Sequence, residues 1–207
     1  MPEGFISLTE KDLNRYLLCT RGDADNLSSK GLEFILAMIE HLIYMDGYRA
    51  LFFYRLQQSS SVRRYRLLRV GVRFFNAMLN RIELDPRAEI GAGCVILHGQ
   101  CIVVGFSCIL GENVTIHQGV TIGAIAGKVK NGRVDPIIED GVMLGAGAKV
   151  LGPVRVGKNS IIGANAIVLD DIPANSIAVG VPAKVVRQVY VPFEEVLRDF
   201  HRGSGRH

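Results

Sequence analysis

Aliphatic side chains recur every six residues through much of the chain: Ile138, Leu144, Val150, Val156, Ile162 and Val168. Upstream the same count runs through Leu84, Ile90, Ile96 and Ile102, slips by two residues, and resumes through Val104, Leu110, Ile116 and Ile122. Glycine often follows the aliphatic residue, as at Gly91, Gly105, Gly111, Gly123, Gly145, Gly157 and Gly163. A small residue recurs four places on, as at Cys94, Ala148, Ser160 and Ala166. A period of six matches neither a helix face, which repeats at about 3.6, nor a simple alternating strand. It fits a prism of very short parallel strands in which each hexad points one aliphatic side chain inward and glycine, lacking a Cβ, turns the corners. The expected fold is mainly β: a left-handed parallel β-helix over residues 83–187, contrary to the usual right-handed crossover.

The count is interrupted once more. Sixteen residues separate Ile122 from Ile138 where six would suffice, which predicts an excursion loop over 124–137. Long loops on rigid scaffolds commonly carry function. Residues 1–82 show helical spacing instead. A capping-box-like Thr9-Glu-Lys-Asp12 opens a helix to about Cys19, and further helices are expected over Leu32–Tyr44, Tyr48–Gln57 and Tyr65–Leu79. Residues 22–30 form an Asp/Asn/Ser-rich loop and 57–61 a polar break. Residues 188–207 hold a short helix beginning near Pro192 and a basic tail.

Composition narrows the picture. No apolar run reaches the roughly 18 residues of a membrane span, and no basic-then-apolar leader opens the chain, so a cytoplasmic location is expected. Cys19, Cys94, Cys101 and Cys108 lack the paired spacing of zinc sites. Three of them occupy small or core slots of the repeat, so packing rather than metal binding is expected.

The net charge of +4 arises entirely before residue 83, much of it from Arg55, Arg63, Arg64, Arg66, Arg69, Arg73 and Arg81. Arg66 and Arg73 share a helix face opposite Leu67, Val70, Phe74, Phe75 and Met78. Such a stretch suits weak contact with an anionic membrane surface or a phosphate-bearing acceptor, or a solvated basic face over a packed apolar one. The packed face is the favoured reading. No recognition motif for nucleic acid accompanies the charge.

Only His98 and His117 among the histidines fall in the repeat, in hexads three steps apart. Three hexads make about one turn, so the two imidazoles are expected on one side of the prism, one coil above the other. A histidine titrates near neutral pH, at about 6.5, and can serve as a general base.

Several segments carry a family resemblance. Leu97-His-Gly-Gln-Cys-Ile-Val-Val-Gly105 resembles the catalytic segment of serine O-acetyltransferases, a branch of the hexapeptide-repeat acyltransferases that includes enzymes of exopolysaccharide pathways. Val120-Thr-Ile-Gly123, Gly145-Ala-Gly-Ala-Lys-Val-Leu-Gly152, Ile162-Gly-Ala-Asn-Ala-Ile-Val168, Gly180-Val-Pro-Ala-Lys184 and Gly47-Tyr-Arg-Ala-Leu-Phe-Phe-Tyr-Arg55 extend the likeness over residues 45–187.

The resemblance implies that His98 deprotonates an acceptor hydroxyl for attack on acetyl-CoA, with Glu83 at the place of an orienting carboxylate and His117 as a weaker catalytic candidate. It places the pantetheine beside Gly123, Ala124, Ala146 and Ala164, with Lys128 and Lys184 as phosphate candidates and no metal. It also implies a homotrimer, or two trimers paired through the N-terminal helices.

Three departures bear on the acceptor. Leu97 stands where the family has aspartate, Val134-Asp135-Pro136 where it has Arg-His-Pro, and Phe106 where it has glutamate. Losing the loop arginine removes a bidentate clamp for a carboxylate. The expected acceptor is therefore a sugar of a surface polysaccharide or its precursor, contacted by Gln100 and Asp135. Serine is the alternative acceptor, and a non-catalytic structural coil the further alternative. Zinc-dependent carbonic anhydrases share this coil but need three converging histidines, one more than the repeat offers.

Overall fold

A computed structural model describes residues 4–21 and 31–188. Four long helices come first: α1 (Phe5–Arg21), α2 (Leu32–Tyr44), α3 (Asp46–Gln58) and α5 (Arg66–Asn80). A single turn, α4 (Ser60–Arg63), falls within the stretch expected as a polar break. It forms because Ser59 caps it, the hydroxyl accepting from the Val62 amide at 3.4 Å.

The hexads build the expected left-handed parallel β-helix, with about five turns. Through β13, every third strand joins the same sheet. Sheet A holds β1 (Ile82–Leu84), β4 (Ile102–Val104), β7 (Thr121–Gly123), β10 (Lys149–Leu151) and β13 (Ile167–Val168). Sheet B holds β2 (Glu89–Ile90), β5 (Ile109–Leu110), β8 (Ile137–Ile138) and β11 (Arg155–Val156). Sheet C holds β3 (Val95–Leu97), β6 (Thr115–His117), β9 (Met143–Leu144), β12 (Ile161–Ile162), β14 (Ser176–Val179) and β15 (Lys184–Gln188). The hexad aliphatics line the prism, and Ile116, Ile122, Ile138, Leu144 and Ile162 are wholly buried. Each such side chain contributes roughly 1.5–3 kcal/mol.

Turn length is uneven, and the unevenness is informative. Val104 pairs with Ile122, eighteen residues on, the regular turn of three hexads. Leu84 pairs with Val104, twenty residues on, so the first turn is two residues longer. Leu110 pairs with Ile138, twenty-eight residues on; the ten additional residues are the excursion. That loop is tied by a small hairpin, in which Lys130 and Arg133 exchange backbone hydrogen bonds across Asn131 and Gly132, both at positive φ.

A solenoid leaves its first turn with unpaired backbone groups, and here the helices satisfy them. The Tyr16 hydroxyl accepts from the Ile96 amide at 2.7 Å and donates to the Ile96 carbonyl at 3.0 Å. Arg15 donates to the Gly93 carbonyl at 2.8 Å, and Tyr54 to that of Ala88 at 2.6 Å. Arg55 donates to the carbonyls of Ile90 and Gly91 while pairing with Asp12, whose carboxylate also accepts from the Cys94 amide.

Two expectations are corrected. The coil does not stay parallel to its end, since β15 folds back antiparallel on β14. The apolar face of α5 is not packed: Leu67, Val70, Phe74, Phe75 and Met78 are all more than half exposed. The buried side of α5 is instead Val72, Asn76 and Asn80, with Asn76 donating to the Ala50 carbonyl of α3. Of the expected 22–30 loop and C-terminal helix, both lie outside the described residues.

Candidate active site

The corner between sheets C and A carries the histidines. Leu97 of β3 is the register partner of His117 of β6, and the Gly119 amide donates to the Gln100 carbonyl at 2.8 Å. Leu97 thus lies under His117 and Gln100 under Gln118, which makes His98 and Gly99 the two residues that lengthen the first turn. The detour uses left-handed backbone at two non-glycine residues, His98 (φ 53°) and Cys101 (φ 55°). The next two coils turn this corner with glycine, at Gly119 and Gly147. The inserted His98 side chain is exposed, and its ring centroid lies 6.5 Å from that of His117, tilted by 37°.

Gly99 explains why the detour is held firmly. A Cβ there would come within 2.8 Å of the Gly47 amide nitrogen, and one on Gly47 within 2.0 Å of the Ile96 carbonyl oxygen. The start of α3 therefore docks on the histidine corner through two glycines at backbone contact. Between them opens a cleft of about 580 Å³. Leu97, His98, Gln100 and Gln118 form its coil side, and Tyr16, Thr20, Tyr44 and Asp46 its helical side. Asp46 carried no signal in the sequence analysis, because nothing there indicated which residues of α3 meet the coil.

His117 is half-buried. Burial, and to a lesser degree the charge of His98, hold its pKa below the ordinary histidine value. Above the same corner, Ala146 and Ala164 continue the column. The Gly147 amide donates to Gln118 and the Asn165 amide to Ala146, each at 2.8 Å. Lys149 of the same wall donates to the Gly119 carbonyl at 2.5 Å.

The remaining candidates lie elsewhere on the prism. Glu83 faces outward from β1 in sheet A and makes no hydrogen bond to His98. Gly123, Ala124 and Lys128 lie at or beyond the end of β7, on the corner between sheets A and B. Asp135 is at that corner too, only 1% exposed, with its Oδ2 accepting from the Ser107 hydroxyl. Among the described residues its Oδ1 has no hydrogen-bond partner. Lys184 is exposed on β15, 3.8 Å from Asp170. A single chain thus gathers His98, His117, Gln100, Ala146 and Ala164 on one corner and leaves the other candidates apart.

Comparison with known proteins points to one family. A family model described as "Bacterial transferase hexapeptide (six repeats)" matches residues 135–170. Serine acetyltransferase of Helicobacter pylori (strain J99) is 42% identical over 147 residues, covering 71% of this chain and 85% of the relative.

The chain belongs to the serine acetyltransferase family.

A solved serine acetyltransferase of Neisseria gonorrhoeae superposes with a TM-score of 0.74 at 27% identity, covering 93% of this chain and 69% of that one. A serine acetyltransferase solved in complex with CoA superposes with a TM-score of 0.69 at 30% identity, covering 88% and 69%. As a member of this family the protein is an acetyl-CoA-dependent acyltransferase, as the repeat and the His98 segment implied. Ala146 and Ala164 stack small side chains along this corner of the coil. Leu97 is half-buried: it packs against the core cluster and borders the cleft beside His98.

Proposed function

We propose that the protein transfers the acetyl group of acetyl-CoA to the hydroxyl of serine, with His98 as general base. The observation that carries this reading is the placing of His98 on a rigid two-residue insertion, opening into a cleft shared with Asp46, in a chain so similar to serine acetyltransferases. In the reaction the neutral imidazole accepts the hydroxyl proton as the oxygen attacks the thioester carbonyl carbon. The new C–O bond forms, the C–S bond breaks, and the departing thiolate takes the proton back from the imidazolium. Burial and the neighbouring His98 hold the His117 pKa below the ordinary histidine value, which disfavours a competing charge beside the base. Glu83 and Asp135 belong to this reading only if a second copy brings its own corner to the cleft, and we infer a trimer on that ground.

The sugar acceptor expected from the sequence gains no support from the relatives, which are serine acetyltransferases. One observation still favours it as a second reading: Leu97 gives the cleft an apolar wall where the family has a carboxylate. A thiol-release assay with acetyl-CoA against serine, homoserine and a panel of sugars separates the two. Serine turned over with a KM of about 1 mM or below supports the first. Serine no faster than hydrolysis, with a sugar turned over, supports the second.

A further inference from the structure

Among the described residues that line the cleft there is one carboxylate and no lysine or arginine. That carboxylate is Asp46, the first residue of α3. It adjoins Gly47, and His98 adjoins Gly99, so the two side chains flank the glycine–glycine contact from either side. The Asp46 side chain is 43% exposed. Its Oδ1 accepts from Arg49, while Oδ2 has no hydrogen-bond partner among the described residues. Arg49 is itself pinned, donating to Asn80 Oδ1 at 2.7 Å and to the Leu42 and Ile43 carbonyls at 3.0 and 3.1 Å. The arginine therefore orients the carboxylate and is not available to pair with a ligand.

Leu97, Gln100, Gln118, Thr20 and Tyr44 are uncharged, so the charge that faces the cleft is the free oxygen of Asp46, with Arg49 engaged on the other. A bound carboxylate would meet no cation among the described lining residues, Arg49 being engaged with Asp46, Asn80 and two carbonyls, and would lose hydration without compensation. A bound ammonium would gain a charge-assisted hydrogen bond. We propose that Asp46 holds the ammonium group of the acceptor, so that the acceptor class is the amino alcohols and an acceptor carboxylate, where present, contributes little. In a 1,2-amino alcohol the ammonium and hydroxyl sit on neighbouring carbons, which suits two side chains flanking one backbone contact. The inference rests on serine as acceptor and His98 as base, and it adds the group by which the acceptor is recognised.

The test uses the intact assembly and three acceptors: L-serine, ethanolamine (ammonium without carboxylate) and 3-hydroxypropanoate (carboxylate without ammonium). Ethanolamine is expected within about tenfold of serine in kcat/KM, and 3-hydroxypropanoate at least about 100-fold below both. Asp46→Asn should raise KM for serine and ethanolamine about tenfold or more with kcat nearly unchanged, and leave 3-hydroxypropanoate as it was. Asp46→Glu should recover part of the loss.

An equal loss for all three acceptors in Asp46→Asn would mean a structural role and overturn the proposal while leaving the serine reading intact. Turnover of serine with refusal of ethanolamine would overturn it as well, by showing that the carboxylate is recognised. Failure of both amino alcohols alongside turnover of a sugar would overturn the proposal together with the serine reading.

Discussion

His98 approaches His117 from outside the strand ladder: Leu97 is the register partner of His117, and His98 reaches the same corner on the inserted pair, its ring 6.5 Å from the other. Because His117 titrates below its ordinary value through burial and through the charge of His98, the two sites are coupled. NMR titration should find the His117 pKa below about 6.5 and show it rising, without fully returning, in His98→Ala, since burial remains. A His117 pKa that ignores His98 would remove the coupling.

The same shift has a stability consequence with a definite sign. The unfolded His117 takes up its proton at about pH 6.5, and the native one only at lower pH. In that window the unfolded chain binds more protons, so stability falls as pH drops below about 6.5 and is fully present above it. His117→Asn should flatten this part of a urea-denaturation profile recorded against pH.

Removing the proposed base should separate assembly from chemistry. His98→Ala is expected to keep its mass and CoA affinity while turnover falls roughly 100-fold or more. His117→Ala should cost less. The reverse order would move the base one coil up to His117.

Gly47→Ala tests how α3 is seated. Its Cβ would stand 2.0 Å from the Ile96 carbonyl oxygen, a backbone atom that cannot swing aside. Loss of roughly 1–3 kcal/mol is expected in denaturant unfolding, with lowered turnover because the cleft wall is displaced. Unchanged values for both would show that the helical layer can shift freely on the coil.

Arg55→Met tests how the helical layer closes the first turn. Arg55 is 4% exposed, is paired with Asp12, and satisfies two carbonyls of the coil. Leaving Asp12 buried without its cation should cost about 3–5 kcal/mol. A midpoint close to that of the unaltered protein would show that water replaces the guanidinium.

The prism was legible because its period is written in side chains that have to be buried. The six-residue count from Leu84 to Val168 found the aliphatic lining, and the two interruptions of that count are where the chain leaves regular geometry. What the count could not assign was which two residues formed the slip, since Leu97, His98, Gly99 and Gln100 fit the register about equally well on paper. Strand pairing of Leu97 with His117 decides it. The packing of α5 was misjudged for a related reason: amphipathic spacing shows that a face is apolar but not what covers it. Asp46 was missed because helix-to-coil contacts depend on Gly47 and Gly99 meeting in space, fifty-two residues apart in sequence.

Eighteen residues is a turn with no spare atoms: every position is spoken for by the wall, the lining or a corner. The proposed base lives in the two residues that do not fit that arithmetic. Chemistry in this scaffold is accordingly portable in a way the scaffold is not. Turns could be added beyond Val168 without touching the histidine corner, whereas deleting His98 and Gly99 alone would bring the first turn to eighteen residues and remove the proposed base.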